Sequence, residues 1–324
     1  MENLAIKKSI SRPPRNSIEK YTKEGEKVIH KGQEKKKYTA SPLNYIGGKY
    51  RIIDQIMPFI PDKINTFVDL FAGGFNIGIN VEANKIICND YVFHIIELYK
   101  EFKRMGINEI LSHIDNRIAE FELSKENEDG YKRFRDFYNI ERKPLDLYVL
   151  ICFSFNYQIR FNSKHEYNNP FGRNRSSFNK TLKKKLIKFK EEMDEKNIEF
   201  IAKNFKEFDL QNINEDDFFY CDPPYLITTG TYNDGKRGFN GWGIKEELEL
   251  LKFLDNLNER GIKFALSNVL MHKGRENEEL IKWSKKYNVN YIDFNYANSS
   301  YQTKDRSING STEVLITNYK RKEM

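Results

Sequence analysis

Seven short apolar runs, each bounded by Gly, Asn or Asp, recur from Thr66 onward, and helical periods lie between several of them. The runs occupy residues 67–71, 86–88, 198–202, 218–221, 264–266, 289–294 and 314–316. Runs of this length with little polar alternation suit strands buried on both faces. Alternating with helices, they predict an α/β fold in which a largely parallel sheet is covered on both sides. Residues 245–260 show the helical half of the pattern, with Leu248, Leu251, Leu254 and Leu257 three apart and Gly261 where a helix should stop.

The stretch 100–197 breaks this rhythm. Ile110, Ile114, Ile118 and Phe121 fall on one helical face, a second apolar segment runs over 145–157, and a polar, Asn-rich loop follows over 162–179. We read this stretch as an inserted, mainly helical subdomain, with 41–99 and 198–324 forming one sheet domain around it. A chain of 324 residues, 39% hydrophobic and 14% aromatic, can pack such a core. Residues 1–40 hold eleven Lys or Arg against five Glu, are broken by Pro13 and Pro14, and read as a flexible basic extension.

The net charge of +7 is unevenly spread, with ten basic residues between Arg160 and Lys190 against the single acid Glu166. Such a block suits a phosphate backbone, although a solvated helix face has the same composition. Cys88, Cys152 and Cys221 lie far apart with no Cys-x-x-Cys pair, and the five histidines are scattered. Neither a disulfide framework nor a metal site is expected. No run approaches the roughly 18 apolar residues that would span a bilayer, so a cytoplasmic protein is expected.

Two constellations carry chemistry. In the first, residues 67–74 (Phe-Val-Asp-Leu-Phe-Ala-Gly-Gly) run from a buried strand into a glycine turn where backbone can approach a ligand, and Asn89-Asp90 end the next strand. An acid at that distance suits the ribose of a nucleoside cofactor, although a purely structural turn reads the same way. In the second, the strand 218–221 delivers Asp222-Pro223-Pro224-Tyr225 to the carboxyl edge of the sheet. Asp222 and the Pro223 carbonyl can accept the two hydrogens of an exocyclic amine, and Tyr225 can stack on the base plane. Two prolines stiffen the turn and remove two donors.

Asp-Pro-Pro-Tyr after an apolar strand, with Phe-Ala-Gly-Gly upstream, resembles the amino-methyltransferases. The rest resembles the Dam-like (D12 class) adenine-N6 DNA methyltransferases, over roughly residues 41–319. Residues 42–50 (Pro-Leu-Asn-Tyr-Ile-Gly-Gly-Lys-Tyr) are similar to that family's opening motif; 156–162 and 168–173 resemble its target-recognition segments; 266–268 resemble its Ser-Asn strand end near the target base; and 311–319 resemble its closing strand. Tyr45 stands where the family often has Trp. The resemblance implies a Rossmann-like, seven-stranded S-adenosylmethionine methyltransferase sheet with motifs in the alpha-type order. It implies a cofactor site of Tyr45, Lys49, Asp69, Phe71, Gly73, Gly74, Asp90, Phe205 and Asp222, with Asp90 on the ribose and Phe205 by the cofactor adenine. Double-stranded DNA would be read from the insertion by Asn156, Arg160, Asn162, Arg173 and Arg175, with Lys183 and Lys184 on phosphates. Lys236 and Arg237, in the Gly-rich segment 228–242, are further candidates for DNA.

The expected reaction flips adenine out of the duplex and lets its N6 lone pair attack the sulfonium methyl in line, with no covalent enzyme intermediate. The three cysteines then need no catalytic role. N4-cytosine methylation uses similar amine chemistry, and a silent DNA-binding protein on the same scaffold would be marked by loss of Asp90 or Asp222; both are present. A monomer fits the resemblance, as do a stand-alone or phage enzyme and one half of a restriction-modification system with its own endonuclease.

Overall fold

The computed structural model describes residues 38–228, 242–293 and 310–321. The apolar runs become strands β1 (Thr66–Asp69), β2 (Lys85–Asn89), β3 (Ile198–Ile201), β4 (Phe218–Cys221), β5 (Lys263–His272), β7 (Asn288–Ile292) and β8 (Ser311–Thr317). A two-residue β6 (Arg275–Glu276) pairs with the end of β5. The order across the sheet is β3-β2-β1-β4-β5-β8-β7. From β3 to β5 all neighbours are parallel, whereas β8 runs antiparallel to both β5 and β7. The order reverses between β1 and β4, which opens a crevice at the carboxyl ends of these two strands.

Successive side chains alternate between two cores, as a pleated strand requires. Phe67, Phe218, Tyr220, Ala265 and Leu315 join one core, while Val68, Phe219, Cys221, Leu266 and Ile316 join the other. The second face is covered by helices α6 (Ile244–Glu259) and α7 (Glu278–Ser284). On α6 the inward residues are Leu250, Leu251, Leu254 and Leu257, whereas Leu248 is exposed. A spacing of three drifts off a period of 3.6, so the expected leucine row cannot keep one face inward and Leu250 takes the place of Leu248. Gly261 follows with φ +74, the left-handed stop that the sequence predicts.

Helices α1 (Phe93–Arg104), α2 (Ile107–Glu120), α3 (Glu128–Glu141), α4 (Pro144–Phe153) and α5 (Lys180–Glu195) lie between β2 and β3. α4 is buried on every side from Leu145 to Phe153, which makes it a central helix rather than an amphipathic one. Its Asp146 is fully buried and accepts hydrogen bonds from Arg117 Nε (2.9 Å), with His113 Nε2 at 2.6 Å. Ile110 and Ile114 are buried as expected, and Ile118 and Phe121 are half-buried. These helices share one core with the sheet: Phe75, Tyr99 and Phe189 pack ring against ring between them. The described residues from Tyr38 onward form one compact unit. Thr39, which the sequence places in the extension, is buried, with its N–H donating to Asn80 Oδ1 at 2.7 Å.

A core spanning helices and sheet should fail as a whole. Phe189→Ala is expected to cost about 3–5 kcal/mol in denaturant titrations, while calorimetry still records one transition rather than separate melting of the helical part.

Candidate active site

The site is assembled at the carboxyl edge around β1 and β4. Beyond β1 the chain turns through Gly73, whose φ of +48 a side chain would strain. A Cβ there would also lie 2.8 Å from the Tyr45 ring, so the space that glycine leaves is filled by that ring rather than left to a ligand. Asp90 accepts from Gly73 N and Val92 N, both at 2.8 Å, and the Tyr99 hydroxyl donates to Gly73 O at 2.7 Å. Asn89 spans the strand exits, donating to Leu70 O (2.9 Å) and Lys203 O (3.1 Å). Asp69 is buried and accepts from Gly78 N at 3.1 Å. Burial, with Asp222 and Asp90 nearby, pushes its carboxyl up to about 8, and burial raises Asp90 too.

At the exit of β4, Asp222 pairs with the ammonium of Lys49 at 2.8 Å. Lys49 is only 4% exposed, donates to Gly47 O at 2.8 Å and lies 4.9 Å from the centroid of the Tyr225 ring. The Tyr225 hydroxyl reaches Asp222 Oδ1 at 3.2 Å and Glu313 Oε1 at 3.1 Å. Burial raises the pKa of both carboxyls, against the lowering effect of Lys49. The Tyr225 ring is buried, so it is set in place by its hydroxyl and by Lys49 rather than standing open for stacking.

Phe71 and Phe205 meet with ring centroids 5.6 Å apart, and Trp242 completes a trio at 5.7 Å from each. Trp242 Nε1 donates to Glu247 Oε2 at 2.7 Å, and this buried carboxylate also accepts from Asn268 Nδ2 (3.1 Å) and Asn277 Nδ2 (2.9 Å). Ser267 and Asn268 are therefore buried in mid-strand: the sequence expects a strand end here, but β5 continues to His272. Trp242, Glu247 and Glu313 are the residues that sequence reasoning missed. A glutamate directly before the apolar run 314–316 was the available signal for Glu313.

The residues expected to meet DNA divide into groups. Asn156 and Tyr157 take left-handed backbone, with φ 54 and 56, beside the exposed Phe155, over which the Arg175 guanidinium lies at 5.2 Å. Asn44 Nδ2 donates to Asn156 O at 2.8 Å, tying this corner to the loop that carries Tyr45 and Lys49. Arg160 is half-buried, and its carbonyl accepts from Asn168 N at 3.0 Å. Asn162 uses both ends of its amide locally, donating to Glu166 Oε2 (2.7 Å) and accepting from Lys164 N and Glu166 N (2.9 Å each). Arg173 is paired with Glu128, and Lys183 and Lys184 are exposed on α5. Lys236 and Arg237 lie outside the described residues, as does most of the basic extension. Among the described residues all three cysteines are free and buried, no cluster of His, Cys, Asp and Glu could hold a metal, and no helix is long and apolar enough to cross a membrane.

Known proteins resemble this chain over much of its length. The type II methyltransferase M.FokI of Planomicrobium okeanokoites is 55% identical over 294 residues, covering 90% of this chain and 45% of that protein. The modification methylase StsI of Streptococcus sanguinis is 52% identical over 289 residues, covering 89% of this chain and 44% of its own length. The chain thus spans less than half the length of these two relatives. The DNA adenine methylase of Escherichia coli (strain K12) is 25% identical over 230 residues, 70% of this chain and 79% of that protein. Residues 45–303, which include Tyr45, Lys49, Asp90 and Asp222, match one family along most of the chain: it belongs to the D12 class N6 adenine-specific DNA methyltransferases.

Proposed function

We propose that the chain is a site-specific DNA adenine-N6 methyltransferase that takes its methyl group from S-adenosylmethionine. The observation that carries this reading is the placement of Asp222, followed by two prolines and Tyr225, at the point where the strand order reverses, with Lys49 and Glu313 around it. Phe71, Phe205 and Trp242 supply an aromatic wall for a purine, and Asp90, anchored by two backbone N–H groups, is poised for ribose hydroxyls. When bound, S-adenosylmethionine supplies an electrophilic methyl on a sulfonium.

The protein's part is to hold the amine. Asp222 and the Pro223 carbonyl accept its two hydrogens, localise the lone pair on nitrogen and align it with the methyl, while Tyr225 braces Asp222 through its hydroxyl. Asp222 must be ionised to accept. We assign 41–99 and 198–324 to catalysis, 100–197 to DNA reading, and the corner of Asn156 and Arg175 to the duplex nearest the flipped base. The names of the first two relatives, a type II methyltransferase and a modification methylase, support pairing with a restriction endonuclease.

Asp222→Ala should reduce methyl transfer to duplex DNA by about 10²-fold or more, while calorimetric binding of S-adenosylmethionine largely survives; full activity in that variant would sink the reading. Digestion of the modified DNA should release N6-methyl-2′-deoxyadenosine, and N4-methyl-2′-deoxycytidine instead would redirect it to cytosine. Because burial raises the pKa of Asp222, the single-turnover rate should decline as pH falls, beginning above the ordinary aspartate range of about 4. An acid limb within that ordinary range would contradict the assigned role.

A further inference from the structure

β8 carries a carboxylate where packing alone has no use for one. Glu313 is 3% exposed and is followed by the fully buried Val314, Leu315 and Ile316. A carboxylate this deep is costly unless it is paired. Its partners are catalytic-site groups: the Tyr225 hydroxyl at 3.1 Å and the Lys49 ammonium at 3.7 Å. Both also touch Asp222, at 3.2 Å and 2.8 Å. The fold brings Glu313 here because β8 runs antiparallel, so its first residues reach the edge where β4 ends. It stands opposite Val269, just before the register of β5 shifts between Val269 and Met271, the kind of irregularity that re-aims side chains beside sites.

The two carboxylates compete for one hydrogen. A phenol has a single hydroxyl hydrogen, and the two distances from it are nearly equal, so charge decides which oxygen receives it. Asp222 already has the nearer ammonium, which leaves Glu313 the less neutralised and stronger acceptor.

We propose that Glu313 is a positioning residue for methyl transfer: it takes the Tyr225 hydroxyl hydrogen and part of the Lys49 field, so that Asp222 keeps its oxygens for the substrate amine. This rests on reading Asp222 as the amine acceptor. Removing the Glu313 charge turns the hydroxyl and the ammonium onto Asp222. Asp222 then becomes a weaker acceptor, and its ionised form is favoured. Tyr220 and Asp69 also face this pair and are unchanged by the substitution.

The test is Glu313→Gln, which keeps shape and removes charge, measured with the full chain, S-adenosylmethionine and duplex DNA. The single-turnover rate should fall about tenfold with little change in KM for DNA or in cofactor binding by calorimetry, and the acid limb should move to lower pH. Combined with Tyr225→Phe, it should cost less than it does alone, since the shared hydroxyl is already gone. Glu313→Asp should restore part of the rate. A Glu313→Gln rate and acid limb equal to those of the unsubstituted chain would overturn the proposal. So would a uniform loss at every pH with an unmoved limb and a lowered melting temperature. The unsubstituted chain is measured first: absence of N6 methylation there overturns the functional reading and this inference together, whereas methylation with an indifferent Glu313→Gln overturns this inference alone.

Discussion

The Lys49–Asp222 ion pair allows this sheet edge to hold so many acids. Asp69, Asp90, Asp222 and Glu313 are drawn to one crevice, and burial raises the pKa of each. Like charges at such range cannot all persist without compensation. The structure uses three devices. Asp69 is pushed to about 8 and therefore carries a proton at neutral pH. Asp90 is satisfied by two backbone N–H groups. Asp222 and Glu313 share a lysine whose exposure is only 4%. Without that lysine two buried carboxylates would face each other uncompensated, a loss that is typically severe in a protein interior.

The members of this cluster are far apart in sequence. Lys49 precedes β1, Asp222 follows β4, and Glu313 belongs to β8. The cluster is therefore complete only when segments far apart in sequence have docked against the edge of the sheet. The hydrogen bond from Asn44 to Asn156 extends the dependence to the helical region, because the loop that positions Lys49 also braces the corner where Asn156 and Tyr157 hold left-handed backbone.

Much of this was legible in the residues, for identifiable reasons. The central strands, buried on both faces, read as apolar runs, and the half-exposed edge strands β3 and β7 were visible too, although Glu199 and Asn290 interrupt them, because Gly, Asn and Asp punctuate the runs. Asp222 to Tyr225 was legible because two prolines at a strand exit have little use in packing. Glu313 was hidden because its role depends on a strand direction that periodicity does not encode. Trp242 and Glu247 escaped notice for a related reason: their meaning lies in contacts with Phe71, Phe205 and Asn268, far away in sequence. The leucines of α6 mislead by one position because a three-residue spacing only approximates a helix. The sequence likewise gives no sign that Asn162 hydrogen-bonds within its own turn, to Lys164 and Glu166.

The core shared between the helices and the sheet has a bearing on how such proteins diverge. Phe189 of α5 contacts Phe75 and Tyr99, which in turn pack behind the turn bearing Gly73. A segment fused to the scaffold in this way is not a cassette. Exchanging 100–197 for the corresponding piece of a relative would import one half of an interlocking surface without the other, and the misfit would reach the Gly73 turn. Change in this region is therefore more readily absorbed at exposed side chains such as Arg175 or Lys183 than by trading the whole segment, since surface changes leave the common interior intact.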